Sequence, residues 1–187
     1  MLNNFVNLGI SKEIVKALTD ISIEIPTEIQ AKAIPIILNE THDFVGLAKT
    51  GTGKTAAFGL PLLQLIDLKS NAIQVVILVP TRELGQQILS NFKLFSKYLP
   101  EISITSVCGG TPIKPQIEQL KDINHIVIAT PGRLIDLIQK KHMKLDDIEI
   151  TVLDEADQMA DMGFLPDVKR ILDLTKPGGQ RMLFSAT

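Results

Sequence analysis

The sequence predicts an α/β domain, a mostly parallel β-sheet with helices on both faces. Three observations predict it. Short β-branched runs recur along the chain, and each leads into a stretch with helical spacing. The runs are apolar throughout rather than alternating, which fits parallel strands buried on both faces. Every Gly-rich or polar cluster follows the end of such a run. In open parallel sheets, ligands sit outside the carboxyl ends of the strands.

The elements follow in order. Helical stretches are expected at about Ser11–Asp20, with Ser11 as N-cap, and at about Thr27–Leu38. In the second, Thr27 and Gln30 match the Thr-x-x-Gln capping box. Phe44–Leu47 is a strand that enters a Gly-rich loop and then a helix from about Lys54 to Leu68. Gln74–Val79 ends at Pro80 and precedes a helix over about Glu83–Tyr98. Ile102–Val107 ends at Gly109-Gly110, with a helix near Pro115–Lys121. His125–Ala129 ends at Thr130-Pro131-Gly132, followed by a helix over Arg133–Gln139. Ile148–Leu153 runs into Asp154-Glu155-Ala156-Asp157, and Arg181–Ser185 is the last strand. With 187 residues, 45% of them hydrophobic, and no repeat or linker, the chain is read as one domain over 1–187.

Composition narrows the function. A net charge of −2 excludes a polybasic nucleic-acid binder, although local clusters and backbone amides can still hold phosphate. Aromatics are 4%, too few for an extended base-stacking platform. The single cysteine, Cys108, rules out an intrachain disulfide and reads as a small buried residue. His42, His125 and His142 show no metal-ligand spacing. The N-terminus lacks a signal-peptide pattern, and no apolar run approaches the length of a membrane span. A soluble cytoplasmic protein, a monomer with no membrane partner, is the expectation.

Two segments carry chemistry. Ala48-Lys49-Thr50-Gly51-Thr52-Gly53-Lys54-Thr55 follows an apolar strand and opens a helix. Successive amides of such a turn, with the helix N-terminus, cradle phosphate oxygens. Lys54 would reach the outer phosphates of a nucleoside triphosphate, and the Thr55 hydroxyl would ligate Mg2+. Downstream, an apolar strand runs directly into Asp154-Glu155. The first carboxylate suits the metal, directly or through water, and the second suits the attacking water. Adjacent carboxylates there repel each other unless a cation is present. An acidic helix N-terminus is the plainer explanation, which the loop upstream argues against.

Asp154-Glu155-Ala156-Asp157 spells the DEAD signature. Over essentially its full length the chain resembles the N-terminal RecA-like domain of DEAD-box ATP-dependent RNA helicases. Phe5 and Pro26-Thr27-Glu28-Ile29-Gln30 look like the upstream aromatic and the adenine-reading Q motif, spanning about 3–31. Ala48–Thr55 matches the phosphate loop, including Ala in its first position. Pro80-Thr81-Arg82-Glu83-Leu84 resembles motif Ia, Gly109-Gly110 followed by Gln116 the GG element, Thr130-Pro131-Gly132-Arg133 motif Ib, and Ser185-Ala186-Thr187 motif III. Ser22 and Ile23 depart from the usual Gly and aromatic, and Gly85 from the usual Ala.

The resemblance implies roles that the bare residues do not. Phe5 would stack on adenine, Gln30 would bond its edge, and Thr27 would support that loop, which makes the ligand ATP. Pro80, Thr81, Arg82, Gly109, Gly110, Thr130, Pro131, Gly132 and Arg133 would hold an RNA backbone with little base readout. Asp157, Ser185 and Thr187 would couple the two sites. A second RecA-like domain, with its arginine fingers, lies outside this chain, so the chain alone would hydrolyse ATP poorly and unwind nothing. The competing readings are a related translocating NTPase acting on DNA, a non-enzymatic ATP-dependent RNA clamp, and a plain α/β binding domain.

Overall fold

Six parallel strands form one sheet in the order β1-β6-β5-β2-β4-β3. The coordinates are a computed structural model that describes residues 4–187. The strands are β1 (Phe44–Leu47), β2 (Val75–Leu78), β3 (Ile104–Val107), β4 (Ile126–Ala129), β5 (Ile150–Asp154) and β6 (Gln180–Ser185). The helices are α1 (Asn4–Asn7), α2 (Lys12–Asp20), α3 (Glu28–Asn39), α4 (Lys54–Leu65), α5 (Arg82–Phe95), α6 (Ile113–Gln119), α7 (Pro131–Gln139), α8 (Ala156–Asp161) and α9 (Leu165–Leu174). All five pairings are parallel, so the sheet is more uniform than the sequence predicts.

Each expected strand is present, with ends shifted by a residue or two. The capping box at Thr27 and Gln30 forms as expected, whereas Ser11 caps α2 without a side-chain bond. The sequence reading did not anticipate α1, α8 and α9. The first two are only one or two turns long. For α9 a signal existed: Pro166 falls in the first turn, where Pro is favoured, and Val168 and Ile171 are buried three residues apart.

Two apolar layers sandwich the sheet. Val75 and Ile77 face one, with Phe58, Phe92 and Phe184; Val76 and Leu78 face the other, with Leu134, Leu137 and Ile171. Alternate residues of β2 therefore point to opposite layers, and all four are buried. This explains the continuous apolar runs.

Both departures from the family pattern have a structural meaning. Ser22 sits just past α2 with φ 60°. Its N–H donates to Thr19 O and that of Ile23 to Leu18 O, the paired closure of a helix C-terminus. Gly adopts this conformation freely, so Ser22 bears a small strain. Gly85 lies on α5 against β3. A Cβ there would lie 2.8 Å from Cys108 Sγ and 3.4 Å from Val79 Cγ2. Gly85 and the buried Cys108 are thus a size-matched pair.

Gly85→Ala is expected to destabilise the chain by about 1–2 kcal/mol through overpacking, despite the better helix propensity of Ala. Adding Cys108→Ala should recover most of that loss. Chemical denaturation of both singles and the double checks this, and strictly additive losses would show that the two do not share space.

Candidate functional site

All six strands point the same way, so every loop after a strand opens on one edge. β1 and β5 flank β6 there, which brings together the loop after β1, the acidic motif after β5 and the end of β6. The loops after β2, β4 and β3 form the other half of the same edge.

After β1 the chain turns through Ala48–Gly53 and enters α4 at Lys54. The loop is held internally: Thr52 Oγ1 donates to Lys49 O at 2.6 Å, and Ala48 N to Ser185 O at 3.0 Å. Gly53 caps α4 with φ 91°, and a Cβ there would collide with the Gln30 amide. Gln30 is 4% exposed. Its Oε1 accepts from Thr27 N at 2.9 Å, and its Nε2 donates to Gly53 O at 3.1 Å. One acceptor lone pair and one donor hydrogen of the amide remain. Gln30, itself held by Thr27, therefore braces the loop at Gly53.

At the centre Lys54 Nζ donates to Glu155 Oε1 at 3.0 Å, and Thr50 Oγ1 donates to the same oxygen at 3.3 Å. Both charged side chains are largely buried, 6% and 15% exposed. Glu155 adopts φ 54°, a left-handed conformation that costs a non-Gly residue energy and that clusters at functional sites. A carboxylate thus rests on the loop's own cation. Thr55 is half-buried in the first turn of α4, beside Lys54.

The three carboxylates have different environments. Asp154 is 2% exposed, and its Oδ1 accepts from Glu155 N at 3.0 Å. Burial pushes its pKa up to about 6; Lys54 opposes this, while Glu155 and Asp157 add repulsion. Asp157 moves the other way, to about 2. Burial would raise it, but hydrogen bonds from Thr187 and Ser185, and from the Gln158 and Ala186 amides, outweigh that. Its Oδ2 accepts from Ala186 N and Thr187 N, each at 3.2 Å, and from Thr187 Oγ1 at 2.9 Å. The expected grouping of Asp157 with Ser185 and Thr187 is realised.

On the other half, Thr81 caps α5 and accepts from Leu84 N at 3.3 Å. Arg82 bonds Glu83 Oε1 through Nε and NH2, at 3.2 and 3.1 Å, and reaches Gly110 O through NH1 at 3.4 Å. Thr130 leads into α7, and its hydroxyl accepts from Gly109 N at 3.0 Å. Gly110 and Gly132 are exposed at this edge.

Four expected residues need correction. Phe5 is fully buried in the core layer, so its ring has no free face for adenine. A cleft of about 430 Å³ beside the loop is bordered by Leu47, Ala48 and Ile29 together with Thr27, Glu28, Lys32, Lys49 and Thr52. Leu47 is 64% exposed, an unusual place for leucine, and that exposure is invisible in a sequence. Pro80 and Pro131 are buried, so they shape their loops from beneath. Arg133 is half-buried and bonded to protein oxygens, which limits it as a free ligand. Asn3, where the adenine motif was expected to begin, lies outside the described residues.

The model of the DEAD/DEAH box helicase family matches residues 27–187. The chain belongs to this family. Among curated DEAD-box relatives, it is 47% identical to the RNA helicase CrhR of Synechocystis over 187 residues, 37% of that protein's length. It is 45% identical to the ATP-dependent RNA helicase CshA of Listeria monocytogenes over 186 residues, 35% of that protein. A crystal structure of a DEAD box protein from Methanococcus jannaschii superposes with a TM-score of 0.92 at 39% identity, covering 98% of this chain and 50% of that one. The chain thus spans about a third of the length of these curated relatives. The fold is that of a DEAD-box RecA-like domain. Among the described residues, no helix is long and apolar enough to cross a membrane.

The raised Asp154 pKa has a consequence for stability. Its folded value, about 6, exceeds the ordinary 3.8, so its contribution is fully present below about 3.8 and is lost as pH rises through about 6. That difference corresponds to about 3 kcal/mol. Without metal, the stability of the wild type relative to Asp154→Asn should fall by up to that amount between about pH 4 and pH 7. Urea denaturation across that range measures it, and a flat difference would contradict the burial argument.

Proposed function

We infer that this chain is the ATP-binding half of an ATP-dependent RNA helicase, a single domain over 1–187 whose partner is a second RecA-like domain in the parent protein. The observation that carries this reading is the convergence of Lys54, Thr50 and Glu155 on one point between the phosphate loop and the DEAD motif. A site that already holds an anion on those donors suits a phosphate that displaces it.

Loop amides and Lys54 would bind the triphosphate. The base would lie in the cleft against Leu47 and Ile29, with the spare donor and acceptor of Gln30 facing its polar edge. Thr55 and Asp154 would hold Mg2+. The donor set fits: Asp154 is a nearly buried carboxylate whose burial outweighs the charge of Lys54, so a further cation beside it would be favoured. One carboxylate and one hydroxyl are the sparse set that Mg2+ accepts alongside water and phosphate oxygens. When bound, the ion would neutralise charge on the outer phosphates. Glu155, freed from Lys54 by the incoming phosphate, would orient the attacking water. Asp157, through Ala186 and Thr187, would report the state of this site to the end of β6.

The RNA backbone would lie on Thr81, Arg82, Gly109, Gly110, Thr130 and Gly132, a set of amides, hydroxyls and one guanidinium with no base-reading chemistry. Hydrolysis would need the arginines of the second domain, which contribute roughly a thousandfold or more in such enzymes.

Glu155→Gln tests the assignment in the two-domain parent. ATP turnover should fall by about a hundredfold or more. Affinity for a non-hydrolysable ATP analogue should be kept or increased, because the internal anion on Lys54 is gone. Unchanged turnover would sink the role of Glu155 in positioning water.

A further inference from the structure

The Gly109-Gly110 loop is fixed from behind by two polar side chains, Gln116 and Arg133. Gln116, on α6, is 8% exposed. Its Nε2 donates to Cys108 O at 2.9 Å and to Thr111 Oγ1 at 2.8 Å. Its Oε1 accepts from Arg133 NH1 at 2.6 Å. Both amide hydrogens are therefore used, which fixes the orientation of the amide. Arg133 NH2 then donates to Thr111 O at 2.8 Å. The residues at each end of the glycine pair, Cys108 and Thr111, are thus tied to one Gln–Arg unit that bridges α6 and α7. Thr130 adds a third link through Gly109 N.

A glycine pair gives a loop wide conformational freedom, and Gly110 uses it with φ 78°. Such a loop presents its amides in one arrangement only if outside bonds impose it. Arg133 forms no ion pair with any carboxylate among the described residues; its partners are two neutral oxygens. Its planar fork spans both at once, which a lysine ammonium cannot reproduce.

We propose that Gln116 and Arg133 form a clasp that positions the Gly109-Gly110 loop for the RNA backbone, so that Arg133 acts through the loop rather than as a phosphate ligand. This rests on the RNA-binding reading above. The clasp joins the loop after β3 to the loop after β4, so both present their amides as one surface. RNA affinity then depends on neutral groups as well as on charge.

The test measures binding of a fluorescein-labelled single-stranded oligouridylate, with Mg2+ and a non-hydrolysable ATP analogue, across a salt series. The protein is the two-domain parent. Gln116→Ala and Arg133→Lys, neither of which changes net charge, should each weaken binding about tenfold, the value of one well-placed hydrogen bond. The double variant should be no weaker than the worse single, because the two side chains act as one unit. The salt slope should stay at the wild-type value in all three. Nucleotide affinity of Gln116→Ala should also be unchanged, which a general loss of folding would not allow. Gln116→Met, which keeps the length of the side chain and removes its hydrogen bonds, should reproduce the loss if Gln116→Ala fails to fold. Wild-type affinity in Arg133→Lys or Gln116→Ala overturns the proposal, as does a drop of about 0.7 in the salt slope of Arg133→Met, the mark of a lost phosphate contact. If the unsubstituted protein binds no RNA, the functional reading falls and takes the clasp with it. If it binds and Gln116→Ala binds equally, only the clasp falls.

Discussion

The common direction of the six strands governs everything else in this molecule. A parallel sheet needs a crossover between each strand and the next, so every strand-to-helix loop returns to the same edge. The strand order then divides that edge. β1, β6 and β5 bring the phosphate loop, the DEAD motif and Ser185–Thr187 together. β2, β4 and β3 gather Thr81, Arg82, Thr130 and the glycine pair. Because β6 lies between β1 and β5, the segment that holds Asp157 also borders the loop that would hold phosphate.

Electrostatics on the nucleotide side follow from how each carboxylate is enclosed. Asp154 ends a buried strand and is raised by burial, while Asp157 is lowered because hydrogen-bond donors surround it. Glu155 lies between them in strain, with φ 54° and its charge on Lys54. An uncompensated buried cation is costly, so the loop is stable only with an anion on it. The protein supplies that anion itself, and a phosphate would have to replace it. Across the edge Arg82 is similarly matched by Glu83, but that pair is exposed and weak, so little opposes its exchange for another anion.

Much of this was legible in the residues. Continuous β-branched runs mark strands because a parallel sheet is buried on both faces. Ala48–Thr55 and Asp154–Asp157 are readable because their chemistry is local: a turn of small residues, a helix start and a strand end. The capping box at Thr27 and Gln30 is local too, and it formed as expected. The short helix α8 and the turn into α9 were harder to see because few residues carry their periodicity.

What the sequence determined, then, was the six strands, the longer helices before β5 and the two chemical motifs, since each depends on neighbours within a few positions. Tertiary structure decided the partners. It placed Phe5 in the core and turned Leu47 outward beside the cleft. It directed Gln30 onto Gly53 and Arg133 onto Gln116, and it made Gly85 the counterpart of Cys108. Each of these is a contact between segments far apart in the chain, set by which strands lie side by side. No local pattern encodes that choice, because it follows from the way the whole sheet buries its two faces.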